Sequence, residues 1–253
     1  MFRVVLPARM GSQRLPGKPL LPLAGRPMIQ WSYERARRSG AQAVLVATDD
    51  ERIVQAVREV GGEAVMTSTA HASGTDRIAE IARREGWSGT DIVVNLQADE
   101  PLMPPQLIDQ VATLFEAYPG ADLTTLAVPV ESVEALLDTN VVKVVTDHQE
   151  RALYFSRAPI PWSRDSAPGD LMSQSSMDGA RRHLGIYAYR VAALLRLAAL
   201  PPSPLERLER LEQLRALENG MDIRVARAAV TPGPDVNTRS DLAAVAALLQ
   251  AGG

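Results

Sequence analysis

Between Phe2 and Val128, short apolar runs alternate with amphipathic stretches, and this alternation restricts the fold more than any other feature of the chain. Phe2–Leu6, Ala43–Ala47, Glu63–Met66, Asp91–Leu96 and Leu123–Val128 read as strands, and Met28–Ser39, Glu51–Val60, Thr75–Glu85 and Pro104–Tyr118 as helices. Alternation at this spacing predicts a parallel sheet with helices on both faces. The expected fold class is α/β, a Rossmann-like three-layer α/β/α arrangement with a mainly parallel central sheet. Functional groups are then expected at the carboxyl ends of the strands.

The second half is less regular. Val141–Thr146, Ala152–Ser156, His183–Tyr189 and Ile223–Ala228 read as strands, and Ser240–Ala251 as a closing helix. Ser203–Asn219 is predicted as one helix, capped by Ser203, with Leu205, Leu208, Leu211 and Leu214 on a three-residue rhythm and Gly220 at its end. Pro159–Asp178, rich in Pro, Ser and Asp, is expected to be a mobile loop of the kind that serves as a lid. No repeat or linker divides the 253 residues, so one domain spanning 1–253 is expected.

Hydrophobic residues make up 46% of the chain and charged residues 23%, enough apolar material for a proper core. A net charge of −3 argues against a general nucleic-acid surface. There is no Cys, which excludes disulfides, thiolate metal sites and thiol catalysis and suits a reducing cytosol. The chain enters a strand directly, without the pattern of a signal peptide, and no apolar run approaches membrane-spanning length. A cytoplasmic protein without membrane insertion is expected.

Chemistry is concentrated first in Pro7–Leu20, where Arg9, Arg14 and Lys18 sit in a loop too rich in Gly and Pro to be helical. A cationic loop leaving the first strand is where an α/β protein holds phosphates. It is not a Walker A motif: five residues, not four, separate Gly11 from Gly17, and Pro19 follows Lys18 where a hydroxyl residue is needed. Asp91–Pro101 is a buried strand ending in acid, and Asp99 is the candidate Mg²⁺ ligand. A second ligand is sought in Pro234–Asp241, where the Asn237 carbonyl oxygen is a suitable hard donor, although the same residues suit capping of the last helix. Ser73–Arg77 opens a helix, either as an anion-favouring terminus or as a plain cap with a surface Arg. His183, beside Arg181 and Arg182, is a base, a polar contact or a strand-edge residue. From the residues alone, Glu212 and Gln213 belong on a water-facing helix surface.

Taken in order, Pro7-Ala8-Arg9, Arg14-Leu15-Pro16-Gly17-Lys18-Pro19-Leu20, Val46–Asp50, Ser73–Arg77, Asn95–Pro101, Tyr154-Phe155-Ser156-Arg157-Ala158-Pro159-Ile160-Pro161-Trp162, His183–Arg190 and Leu211–Arg215 resemble the 3-deoxy-manno-octulosonate (KDO) cytidylyltransferases. The first block marks only the wider sugar nucleotidyltransferase superfamily; the Tyr154–Trp162, His183–Tyr187 and Leu211–Arg215 blocks are more specific. The resemblance implies transfer of CMP from CTP to KDO, for lipopolysaccharide biosynthesis, by a Mg²⁺-dependent homodimer. It implies that about 130–190 forms a smaller dimerisation and lid subregion. Arg9, Lys18 and Asp99 take the catalytic roles. Ala8, Arg9, Gly11, Ser12, Arg14, Lys18, Ser73, Arg77 and Gln97 take the nucleotide, and Gln97, Arg157, His183, Tyr187, Glu212 and Gln213 the sugar acid. Asp99 and Asn237 are then the metal ligands.

Two residues depart from the family pattern. Ala98 replaces a usual Gly, and Asn237 replaces a usual Asp, with Asp235 as an alternative source of charge. The rival readings are the same chemistry on 8-amino-KDO or a sialic acid, and a nucleotide-binding regulator without turnover.

Overall fold

The computed structural model describes residues 1–11, 15–166 and 173–251. In chain order these form β1 (Phe2–Ala8), β2 (Pro22–Leu23), β3 (Arg26–Pro27), α1 (Met28–Arg37), β4 (Ala43–Thr48), α2 (Glu51–Arg58), β5 (Glu63–Met66), α3 (Gly74–Arg84), β6 (Ile92–Asn95) and α4 (Pro105–Ala117). They continue through β7 (Leu123–Pro129), α5 (Val133–Leu137), β8 (Lys143–Thr146), β9 (Ala152–Ser156), β10 (Arg181–Arg190), α6 (Val191–Ala199), α7 (Pro204–Glu209), α8 (Gln213–Glu218), β11 (Ile223–Arg227) and α9 (Arg239–Ala251). Two compact units result: Met1–Thr113 with Ile186–Ala198 and Ala229–Gly253, and Leu114–Gly185 with Ala199–Ala228.

In the first unit β1 lies between β4 and β6, parallel to both, and β5 continues the parallel order beyond β4. The end of β10 runs antiparallel on the other side of β6, with Tyr187 opposite Asn95. The registers follow from burial: Val4, Val5, Leu6, Val46, Ala47, Val93 and Val94 are all fully enclosed, as central strands covered on both faces require. The first-half helices form where the apolar period predicts, and the starts of α2 and α3 are capped by side chains. Asp50 accepts from the Arg52 amide at 2.9 Å, and Ser73 and Asp76 form a reciprocal capping box. Gly74 is required by packing, because a Cβ there would lie 2.9 Å from the Pro7 ring.

In the second unit β7 and β11 pair in parallel, while β8 pairs antiparallel with β9 and with the start of β10. The structure corrects one helix here. The predicted Ser203–Asn219 helix is two short ones, interrupted at Arg210, which adopts a left-handed conformation (φ 55°, ψ 44°). Its leucine rhythm misleads because a three-residue repeat drifts around a 3.6-residue helix. Leu208 is 80% exposed, whereas Leu211 and Leu214 are buried. The helices α5 and α6 were not anticipated; α6 follows β10 without the Gly or Pro that signals a boundary. Residues 167–172 of the expected lid lie outside the described residues. No helix among the described residues is long and apolar enough to cross a membrane.

Candidate active site

In the loop after β1, Leu15 is buried with Leu23, Met28, Val236, Val245 and Leu249 in one apolar cluster of the first unit. Gly17 then takes a positive φ of 69°, a conformation that suits Gly. Its amide donates to the Met10 carbonyl at 3.2 Å, and a tight turn begins at Lys18. Pro19, which rules out a Walker A loop, here is the second residue of that turn and is buried.

Lys18 projects from this turn onto Asp99, and the two form an ion pair. The strand β6 ends at Asn95, so Asp99 belongs to the turn beyond it, where the Glu100 amide donates to the Gln97 carbonyl at 3.3 Å. Asn237 reaches the same ammonium: its Oδ1 is 3.5 Å from Lys18 Nζ. That meeting depends on Val236, which is fully buried in the cluster holding Leu15 and whose amide donates to the Asp99 carbonyl at 3.0 Å. The Asn237 side chain donates to Asp235 at 2.5 Å. Asp241 accepts from the Asn237 and Thr238 amides at 2.9 and 2.8 Å. Burial opposes the ionisation of Asp241, but these amides hold its carboxyl below the usual value. The helix cap is therefore Thr238, whose hydroxyl accepts from the Asp241 amide at 3.2 Å in return, and the Asn237 Oδ1 faces Lys18.

Asp99 and Asn237 thus direct two hard oxygens at one point, where the described structure has an ammonium. No group of three or more His, Cys, Asp or Glu suited to a metal ion occurs among the described residues. One carboxylate and one amide oxygen, completed by phosphate oxygens and water, is a donor set that Mg²⁺ accepts. Ala98 fits without strain: it is buried, it has no positive φ, and its carbonyl accepts from the Ser32 hydroxyl at 2.9 Å.

Of the other nucleotide candidates, Arg9 is exposed and Ala8 buried, and a Cβ on Gly11 would meet nothing within 4 Å. Ser12 and Arg14 lie outside the described residues. The Ser73 hydroxyl accepts from the Asp76 amide at 3.1 Å. Arg77 is not the surface residue of the simple capping reading. It is 2% exposed, pairs with Asp49 at 2.8 Å and also donates to Thr67 and to the Ser68 carbonyl. Its visible role is to fix the segment leading into α3.

Gln97 and Tyr187 belong to the first unit. Gln97 donates to the Asn95 side chain at 3.2 Å, and Tyr187 is buried against Tyr189, with ring centres 5.9 Å apart. Arg157, His183, Glu212 and Gln213 belong to the second. His183 Nε2 lies 3.0 Å from the Thr125 hydroxyl, and its ring meets Phe155 edge-on. Burial, helped by Arg182, pushes the imidazole down to about 3, so it is neutral at physiological pH and unsuited to act as a general base there. Glu212 is half-buried at the start of α8, not on an open helix surface; its carboxylate is 3.8 Å from Arg215, and Gln213 follows, also half-buried.

Arg157 has the fullest set of contacts. Its Nε donates to the Glu209 carbonyl at 2.7 Å and its Nη1 to the Thr139 carbonyl at 2.8 Å. The break at Arg210 explains the first bond, because it leaves the Glu209 carbonyl at a helix end, where carbonyls lack intrahelical donors. Two residues at this position escaped the sequence reading. The Glu209 carboxylate accepts from the Ser156 hydroxyl at 2.6 Å and the Arg157 amide at 3.0 Å. Lys143 is fully buried and donates to the carbonyls of Asp138, Val141 and Arg157. Burial pushes its ammonium below the usual value, while Asp138 and Glu209 oppose that shift. Lys143 carried a signal, a lone cation inside an apolar strand; Glu209 carried none.

Residues 3–223 match the family model described as cytidylyltransferase. The chain is 53% identical over 249 residues to a 3-deoxy-manno-octulosonate cytidylyltransferase of Halorhodospira halophila, covering 98% of this chain and 97% of the relative. It is 52% identical over 250 residues to the enzyme of the same name from Thioalkalivibrio sulfidiphilus, covering 99% of each. A solved structure of CMP:2-keto-3-deoxy-manno-octonic acid synthetase complexed with CTP is similar over the whole of both chains, with a TM-score of 0.89 at 40% identity. With the lysine of its N-terminal loop meeting an acidic turn in its first unit and full-length likeness to these enzymes, the chain belongs to the family of 3-deoxy-manno-octulosonate cytidylyltransferases.

Proposed function

We propose that this protein transfers CMP from CTP to KDO, releasing pyrophosphate, and so supplies an activated sugar acid for lipopolysaccharide assembly in the cytoplasm. The observation that carries the reading is the convergence of Lys18, Asp99 and Asn237 on one point beside the β1 loop. The likeness to a synthetase complexed with CTP supports the choice of nucleotide.

In this reading the anomeric hydroxyl of the sugar acid attacks the α-phosphorus of CTP. A new P–O bond forms, the bond to the β-phosphate oxygen breaks, and the hydroxyl proton passes to solvent. Lys18 leaves Asp99 for the phosphates, and Arg9 joins it from its exposed position; both offset charge on the departing pyrophosphate. Asp99 and the Asn237 carbonyl oxygen would hold Mg²⁺ together with phosphate oxygens, and the ion would supply Lewis-acid stabilisation of that charge. Arg157, Gln97, Tyr187, Glu212 and Gln213 orient the sugar acid, and neutral His183 offers a hydrogen bond instead of a proton sink. Positioning and electrostatics then account for the rate, with no protein nucleophile. The active form is a homodimer formed through the middle of the chain.

The test is incubation with CTP, KDO and millimolar Mg²⁺, followed by ³¹P NMR. Pyrophosphate and a CMP-sugar phosphodiester are expected, with 8-amino-KDO and sialic acid turned over more slowly. No phosphodiester from any of the three sugar acids would overturn the reading.

A further inference from the structure

The second unit holds Arg157 by an unusual division of labour. Two charged side chains grip its backbone: the Glu209 carboxylate accepts from its amide at 3.0 Å, and the Lys143 ammonium donates to its carbonyl at 2.6 Å. Two neutral carbonyls grip its guanidinium, those of Glu209 and Thr139. Lys143 also secures the second of these, because it ties the carbonyls of Asp138 and Val141 on either side of Thr139. The charges of Lys143 and Glu209 offset one another, and among the described residues no carboxylate accepts a hydrogen bond from the guanidinium. A pairing carboxylate would neutralise the cation before substrate arrived; carbonyls orient it and leave its charge intact.

We infer that Lys143 and Glu209 are positioning residues that fix Arg157 so that its guanidinium meets the carboxylate of the sugar acid already oriented and with its charge uncompensated. The inference rests on the proposed function for the identity of the anion. It makes the break at Arg210 functional, since a continuous helix would occupy the Glu209 carbonyl that receives Arg157 Nε.

Glu209→Gln removes one strong acceptor, and Glu209→Ala removes both, while the main-chain carbonyl stays in each. With thermal unfolding confirming that the variants fold, KM for the sugar acid should rise about threefold in the first and about tenfold in the second, with KM for CTP unchanged. In ¹⁵N spectra of the free protein, the Arg157 Nε–H signal, assigned by its loss in Arg157→Lys, should shift and broaden in the same order. Lys143→Met is measured alike, and the Glu209 pair decides the matter if that variant does not fold. Equal rises in both KM values, or an Nε signal unmoved in Glu209→Ala, would overturn the inference. A wild-type protein that makes no CMP-sugar sinks the proposed function instead, and the Nε signal then decides the positioning claim by itself.

Discussion

Lys18 in the first unit and Arg157 in the second are both cations assigned to anionic substrate groups, yet the chain holds them in opposite ways. Lys18 is paired with a carboxylate and lies near an amide oxygen. Arg157 is oriented by neutral carbonyls, with the charged residues assigned to its backbone. In the proposed function the paired lysine would keep the Asp99 and Asn237 oxygens satisfied until a polyphosphate drew it away, so that nucleotide and metal would enter together. In the same reading Arg157, held by main-chain carbonyls, would take a single carboxylate without first leaving an acidic side chain. The residue types suit the tasks: Lys is a mobile point charge and Arg a rigid fork.

The sharpest way to break this comparison is Lys18→Met. It should lower kcat/KM for CTP about 10³-fold, in line with loss of one group that stabilises transition-state charge. The same variant should bind Mn²⁺ more tightly without nucleotide, by electron paramagnetic resonance, because Asp99 no longer has a cation. A tenfold or smaller loss of activity would mean that Lys18 is not a phosphate ligand. Arg157→Met should cost about 10²-fold in kcat/KM for the sugar acid and nothing in CTP affinity by calorimetry, as expected for a charge-assisted pair. A matching loss of CTP affinity would erase the distinction between the two cations.

Asn237→Asp sharpens the first half of the comparison. A second carboxylate beside Lys18 should tighten Mn²⁺ binding in the presence of CTP about tenfold by titration calorimetry; an unchanged affinity would remove Asn237 from the metal site. A separate prediction concerns pH. His183 has a folded value of about 3 against an ordinary value of 6.5, so between these limits the unfolded chain binds the extra proton. Stability should be full above pH 6.5 and fall as pH drops toward 3, by at most about 1.4 kcal/mol per pH unit. Urea titrations of His183→Gln should show a shallower decline than wild type, and equal slopes would show that the imidazole is not held neutral.

The first half was legible because its signals are local. Apart from Glu63–Met66, the strands there are short, largely buried runs, and Asp50 and Ser73 stand immediately before their helices and cap amides two and three residues on. Glu63–Met66 has the bounds its sequence predicts, and β1 differs only in running on to Ala8. The second half misled where local signals conflicted. Four leucines three apart read as one helix, but Arg157 Nε takes the Glu209 carbonyl that a continuous helix would use, and Arg210 turns the chain. The surface Arg imagined at 77 is buried because Asp49, 28 positions away, supplies the opposing charge.

The sequence by itself determined the main strands and helices of the first half, though not the short β2–β3 pair, together with the cationic loop after the first strand and the family to which the blocks belong. These depend on residue type and near-neighbour spacing, which one dimension records. Only the tertiary structure decided that Lys18 meets Asp99 and Asn237, 81 and 219 positions away, and that Lys143 and Glu209 share the backbone of Arg157. Charged side chains act over a few ångströms, and the packing of Leu15 with Val236 and the turn at Arg210 determine which of them come that close.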